Sequence, residues 1–393
     1  MIYLDSAATT SIYPEVLSAM EPYLKEQYGN PSSHYSLGMN AKQAIENARE
    51  VFSSMLSCHP SEIFFTSGGS ESNSWAIKGL LNPYPLYAPI HIITDSQEHH
   101  SLLNAITSRR MLSNDIMKST LKSTVDGLVN RENFRSFIMP DSRVKICSIQ
   151  TVNNETGIIQ PIQSIAFRCK EYGYIFHTDA VQAFGHLELN VDLLGIDMLS
   201  ASSHKIHGPK GVGLLYISDK IQKQMASLIC GGQQEKGLRG STENVAGIVG
   251  FAKAAEIAKT NMTKNNEHVK QLASELVIML SRLPGVHTNV NLRLTDYRHI
   301  SIRLDGIRAE EMLSLFDSVD ICISSGSACN SDSHRPSHVL KAIGLSDEEA
   351  NSTIRVSIDE TNTIEELMEF VNYLQSFLEI LRGKNTDSQT RLN

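Results

Sequence analysis

The chain has 393 residues, 41% of them hydrophobic, with 35 basic and 43 acidic side chains and a formal net charge of −8. That length supports two domains with a large core, and the acidic balance, without any basic block, argues against direct nucleic-acid binding. No apolar run approaches the roughly 18 residues that span a membrane, and the opening MIYLDSAATT is expected to be neither a signal nor a transit peptide.

Residues 1–12 are short and polar. Pro14 opens a helix at its first turn, where a missing N–H costs nothing. Val16, Leu17, Met20 and Leu24 form its apolar stripe, and Gly29 is expected to close it. After the turn-rich YGNPSSHYSLG comes a long amphipathic helix with Ala41, Ala44, Ile45, Ala48, Val51, Phe52 and Met55 on one face. Residues 62–81 then read as strand, glycine turn and helix. Gly68 and Gly69 permit close backbone approach, and Ser70 falls at a helix N-terminus, a natural anion site. No GK[ST] follows, so this is not a Walker loop.

The same pattern repeats along the chain. Residues 90–101 form a strand that delivers His99 and His100, and 144–157 one that delivers Asn153 and Asn154. Residues 174–185 deliver Asp179 and Gln182. Apolar strands separated by helices predict an α/β fold with a doubly wound, mostly parallel sheet. Ligands gather beyond the carboxyl ends of such strands, where Ser70, His99, Asn154, Asp179, Gln182, His204 and Lys205 all fall. The segment 102–143 carries only weak periodicity. In residues 196–213, Lys205 sits at the lip between two buried strands. Desolvation there favours the neutral amine that imine formation needs.

A Gly-rich loop, CGGQQEKGLRGSTENVAG, bears Arg239 and Thr242, and a helix of small residues runs from Asn244 to about Lys259. The polar stretch 260–268 reads as a domain boundary. Beyond it the order becomes helix, short strand, strand, helix, strand. The expected division is a large unit, 14–260, and a smaller α+β unit formed by 1–13 and 261–393. The last helix begins with a capping box, Thr363 to Glu366. It carries Leu367, Phe370, Val371, Leu374, Leu378 and Leu381 and is expected to stop at Gly383, before a polar tail.

Six scattered cysteines, with no CxxC pair, fit a reducing cytoplasm better than a disulfide framework or a zinc site. Cys329 lies in SSGSACNSDSHRPS without apolar flanks, the setting of an exposed reactive thiol or of an incidental surface cysteine. A metal pair with His334 lacks further ligands, so no metal is expected. Arg355, inside the strand-like TIRVSID, requires an anionic partner, either a structural carboxylate or a substrate carboxylate.

A lysine for an imine, an acid for a pyridine nitrogen and a phosphate loop together suggest pyridoxal phosphate (PLP). With the motifs YLDSAATT, YGNPSS, TSGGSESN, EHHS, VNNETG, HTDAVQAFG, SSHKIHGPKGVG, LRGSTEN and SSGSACNS in this order, the chain resembles the NifS/IscS-type cysteine desulfurases. These belong to the class-V aminotransferase family of PLP-dependent transferases, fold type I. The resemblance implies that Lys205 carries the cofactor and shuttles protons. Asp179 would pair with the pyridinium, Gln182 with the phenolic oxygen, and His99 would stack on the ring as an acid or base. Gly69, Ser70, Ser202 and His204 would hold the phosphate, with Thr242 reaching in from the other subunit of a homodimer. Asn154 and Arg355 would hold the carboxylate of L-cysteine, and Cys329 would take its sulfur as a persulfide, leaving alanine. The implied partner is a sulfur-acceptor protein serving iron–sulfur clusters, thiolated tRNA or modified DNA. A selenocysteine lyase or cystine C–S lyase, or a sulfur-relay scaffold subunit, are the alternatives. Two features depart from the family: Ser241 replaces a common glycine before Thr242, and the C-terminus does not resemble the scaffold-docking tail of the iron–sulfur housekeeping members.

Overall fold

The computed structural model describes residues 1–81, 89–110, 116–139, 144–326 and 335–390. Seven strands form one sheet in the order Ile63–Thr66, Gly213–Ile217, Met198–Ser202, Ile175–Asp179, Val144–Ser148, Ile90–Asp95, Ile116–Leu121. All run parallel except Gly213–Ile217, which is antiparallel to both neighbours. Alternate residues enter two different cores, as the two-residue period requires. Ile63, Phe65, Ile93, Cys147, Leu214 and Tyr216 face one layer of helices. Phe64, Ile92, Ile146 and Leu215 face the other. Covering both faces explains why these strands are apolar runs without alternation.

The poorly periodic region after residue 102 contains helix His100–Arg110 and edge strand Ile116–Leu121. Only Ile116 and Leu121 of that strand are buried, while Lys118, Ser119 and Thr120 are not. An edge strand with such a polar centre leaves no apolar signal to read.

A second, antiparallel sheet orders Ser324–Ser325, Thr353–Ser357, His299–Leu304 and Val286–Thr288. Its core contains Ile300, Ile302, Ile354 and Val356, and also Leu4 from the N-terminus. Strand Ile2–Tyr3 pairs with Ile321–Cys322 beside it. The capping box is present, with Glu366 N donating to Thr363 Oγ1 at 3.3 Å and Thr363 N to Glu366 Oε2 at 3.1 Å.

Two expected breaks are absent. Helix Val245–Leu280 runs unbroken through 260–268. That stretch holds no glycine or proline, and none of its side chains is buried, so its polarity marks a solvated helix face. Helix Ile364–Thr390 likewise passes through Gly383. One interior glycine costs only about 1 kcal/mol, too little to end a long, packed helix.

The loop 230–243 is pinned by a buried ion pair. Arg49 Nη2 and Nη1 donate to Glu235 at 2.8 and 3.0 Å, and Phe65 N donates to the same carboxylate at 3.0 Å. Glu235→Ala would strand a buried guanidinium, so an unfolding free energy lower by about 3–5 kcal/mol is expected in a denaturant titration.

His177 lies wholly inside the sheet, with its ring nitrogens 2.7 Å from Ser148 Oγ and 2.9 Å from Ser200 Oγ. Burial lowers its pKa from 6.5 to about 3. The unfolded chain therefore binds the extra proton between these values, and the stability His177 contributes is lost as pH falls below 6.5. The stability gap between the wild type and His177→Gln should shrink by about 1.4 kcal/mol per pH unit across that window. Paired denaturant titrations from pH 7 to 5 would measure it.

Candidate active site

The parallel strands all end at one edge, and that edge is where the polar residues collect. Ser202 pairs with Gly213, closing a hairpin whose loop carries His204 and Lys205. His207, at φ +62°, turns the loop back. Residues 5–10 lie across this loop. Lys205 Nζ donates to the carbonyls of Ala7 and, at 2.8 Å, of Ala8. Thr10 N donates to His204 O at 2.9 Å, and His207 N to Thr10 Oγ1 at 2.8 Å.

Gly69 begins helix Gly69–Leu81. A Cβ there would sit 2.5 Å from Val181 Cγ2, so only glycine lets the helix start this close to the sheet. The amides of that first turn, with Ser70, Ser202 and His204, line a cradle suited to an anion. Burial, then Lys205 and Lys210, push His204 down to about 4.

Asp179 is held by Asn73 Nδ2 at 2.6 Å and by Val181 N at 3.0 Å. His99 Nδ1 accepts from Ser101 N at 3.1 Å, so the neutral ring carries its proton on Nε2. Burial lowers the His99 pKa; Asp179 opposes this and Lys205 adds to it. Gln182 Nε2 donates to Ala7 O at 3.0 Å.

Gly69, Ser70, His99, Asn154, Asp179, Gln182, Ser202, His204, Lys205 and Arg355 thus share one cleft of about 440 Å³. Thr242 does not line it and is exposed on this chain. Cys329 and His334 lie outside the described residues. Arg355 finds a structural carboxylate: Nη2 donates to Asp5 Oδ1 at 2.7 Å, while Nη1 donates to Asn154 O at 2.8 Å.

Several site residues were not singled out from sequence. Asp5 and Asn73 sit within motifs that were read, but their partners are distant in the chain. Glu98 is wholly buried and pushed far up by burial, with Asp95 and Asp179 adding. Its Oε1 accepts from Gln150 N at 2.6 Å. Glu155 is pushed up to about 7 by burial, against the pull of Ser337 and Arg355. Beneath the Lys205 loop, donor atoms of His207, Asp359 and Glu360 lie within 4.8 Å of one another. Arg298 and Tyr13 already occupy the Glu360 carboxylate at 2.9 and 3.0 Å, which makes this an ion-pair network.

A lysine, a buried acid and an anion cradle at the carboxyl edge of a doubly wound sheet define a transferase-like centre. The aminotransferase class-V profile matches residues 2–370. The "Cysteine desulfurase IscS" of Clostridium botulinum strain Hall is 42% identical over 372 residues, covering 93% of this chain and 91% of its own. A solved "NIFS-LIKE PROTEIN" superimposes with TM-score 0.89 at 33% identity, covering 96% of this chain and 99% of its own. A structure titled "SspA in complex with cysteine" gives TM-score 0.81 at 36% identity, covering 91% and 99%. The chain belongs to the class-V aminotransferase family, and within it to the cysteine desulfurases. Its fold is accordingly that of PLP-dependent transferases of fold type I.

Ser241, just before Thr242, adopts φ +97°. A side chain there is strained, so Ser241→Gly should raise unfolding stability by up to about 1 kcal/mol in thermal or denaturant melts.

Proposed function

We propose that this chain removes sulfur from L-cysteine with PLP, giving L-alanine and a persulfide on Cys329 that passes to an acceptor protein. The observation that carries this reading is the convergence of Lys205, Asp179 and the helix start at Gly69 on one cleft, with Arg355 at its wall.

The donor set fits the cofactor. Gly69, Ser70, Ser202 and His204 suit a phosphate, and Asp179, braced by Asn73, suits a protonated pyridine nitrogen. Asn73 Oδ1 and Arg355 Nε are buried without a partner among the described residues, leaving polar capacity at the cleft. When bound, PLP supplies an electron sink for the substrate's α-carbon.

The chain's own groups do the rest. Lys205 would be the amine that holds the cofactor and moves the α-proton. His99, with its proton on Nε2, would serve the bound cofactor and substrate as an acid. Gln182 would hold the phenolic oxygen, and Thr242 would complete the phosphate site from the second copy of a homodimer. Asn154 and Arg355 orient the substrate carboxylate, and Asp5 holds the guanidinium for it. Cys329 then forms an S–S bond as the substrate's C–S bond breaks; L-cysteine plus one enzyme thiol gives L-alanine plus one persulfide, with no other reactant. The larger unit 14–260 carries the cofactor site, and the unit of 1–13 and 261–393 carries Cys329. Relatives named cysteine desulfurase, and one with cysteine bound, support the substrate. Among the described residues no helix is long and apolar enough to cross a membrane.

The test is to mix the PLP-loaded protein with L-cysteine without reductant, then quantify alanine and the mass of the Cys329 peptide. Stoichiometric alanine with one added sulfur on Cys329 is expected. Neither product, from a chain that carries PLP, would overturn the reading. For Asp5→Asn, loss of a charged hydrogen bond to Arg355 should raise the half-saturating cysteine concentration about tenfold while leaving the maximal rate nearly unchanged, as steady-state kinetics would read.

A further inference from the structure

Glu155 is a buried carboxylate that the mechanism above does not use. It follows Asn154 in a rigid turn: Asn153 Oδ1 accepts from Glu155 N and Thr156 N at 2.9 Å each and from Thr156 Oγ1 at 3.0 Å. Asn153 Nδ2 in turn donates to Gln97 O at 3.1 Å, tying the turn to the neighbouring strand end.

Two segments distant in sequence meet this carboxylate. Ser337 Oγ donates to Glu155 Oε2 at 2.5 Å, in the interior. The same Oγ accepts from Val339 N and Leu340 N at 3.2 Å each, so it also starts helix His338–Ala342. His338 Nε2 lies 3.0 Å from Glu98 O, a second tie to the strand edge. From the other side comes Gly326. A Cβ on Gly326 would lie 3.1 Å from Glu155 Oε2 and 3.0 Å from Leu340 Cδ1, so a larger residue there would force these neighbours to yield. Gly326 and Ser337 are the described flanks of the stretch that contains Cys329.

A lone buried carboxylate is an expensive way to fill space, since hydrophobic replacements of buried polar groups are often neutral or stabilising. This one instead bonds the Ser337 flank, with Gly326 close beside it, to the residue next to Asn154, whose carbonyl receives Arg355 Nη1 at 2.8 Å. We propose that Glu155 is a positioning residue for the sulfur-accepting step: by bonding Ser337 beside Gly326 at the Asn154 turn, it sets where the described flanks of the Cys329 stretch sit relative to the substrate site. This rests on the proposed desulfurase reaction.

The experiment uses full-length, PLP-loaded protein in single turnovers with L-cysteine, without reductant. It reads alanine, sulfur on the Cys329 peptide, and the cofactor's absorbance change on cysteine binding. Glu155→Ala and Ser337→Ala should each slow persulfide formation by about ten- to a hundredfold, the range for displacing a reacting group by up to an ångström. The half-saturating cysteine concentration should stay within about twofold, because binding and positioning are separable. Glu155→Gln keeps an oxygen for Ser337 and should retain most of the rate. The double variant should be no slower than either single one, since both cut the same link. Wild-type rates in both alanine variants would overturn the proposal. So would half-saturation rising in step with the rate loss, which would make Glu155 part of the pocket wall. A wild type that yields neither alanine nor persulfide would instead refute the desulfurase reading itself.

Discussion

Everything at the site depends on how residues 5–10 cross the sheet's carboxyl edge. This short segment has no regular structure of its own, so its backbone groups are available to others. The Ala7 and Ala8 carbonyls hold Lys205, Ala7 also receives Gln182, and Thr10 clasps the loop around His204 and His207. Asp5 and Ala7 then fasten to Arg355 and Ser357 on the second sheet. One strip of backbone thereby fixes the distance between Lys205 and Arg355. Preorganisation of this kind is what orientation contributes to catalysis.

Behind the residues that line the cleft lie buried groups that water would treat differently. Glu98 and Glu155 are driven towards their neutral forms, whereas Glu360, pushed up by burial, is held at about 2 chiefly by Arg298, with His186 and His207. Neutral His204 and His99 add little charge of their own. Besides these two histidines, the ionisable side chains that line the cleft are Lys205, Asp179 and Arg355.

Much of this was legible in the sequence, for identifiable reasons. Strands buried on both faces appear as IFFT or MLSAS, and their carboxyl ends announce His99, Asn154, Asp179 and Lys205. What escaped follows equally definite rules. Strand Ile116–Leu121 is an edge with a polar middle, so no pattern betrayed it. The polar run at 260–268 suggested that the helix ends near Lys259 because a solvated helix face and a helix end share a composition. Asp5 was invisible as Arg355's partner because 350 residues separate them, and pairing across that separation is a property of topology. Glu155 was read only as part of VNNETG, since burial of a carboxylate has no local signature.

The uninterrupted helix Val245–Leu280 has a mechanical meaning. Its first half contributes Ile248 and Phe251 to the core under the large sheet, and its second half contributes Val269, Leu272 and Leu276 to the core under the small one. It works as a shared beam. Cutting the chain at the polar stretch would leave each half of the molecule without its own end of that beam. The two sheets are distinct as layers but inseparable as pieces, and loss of order in one should propagate directly to the other.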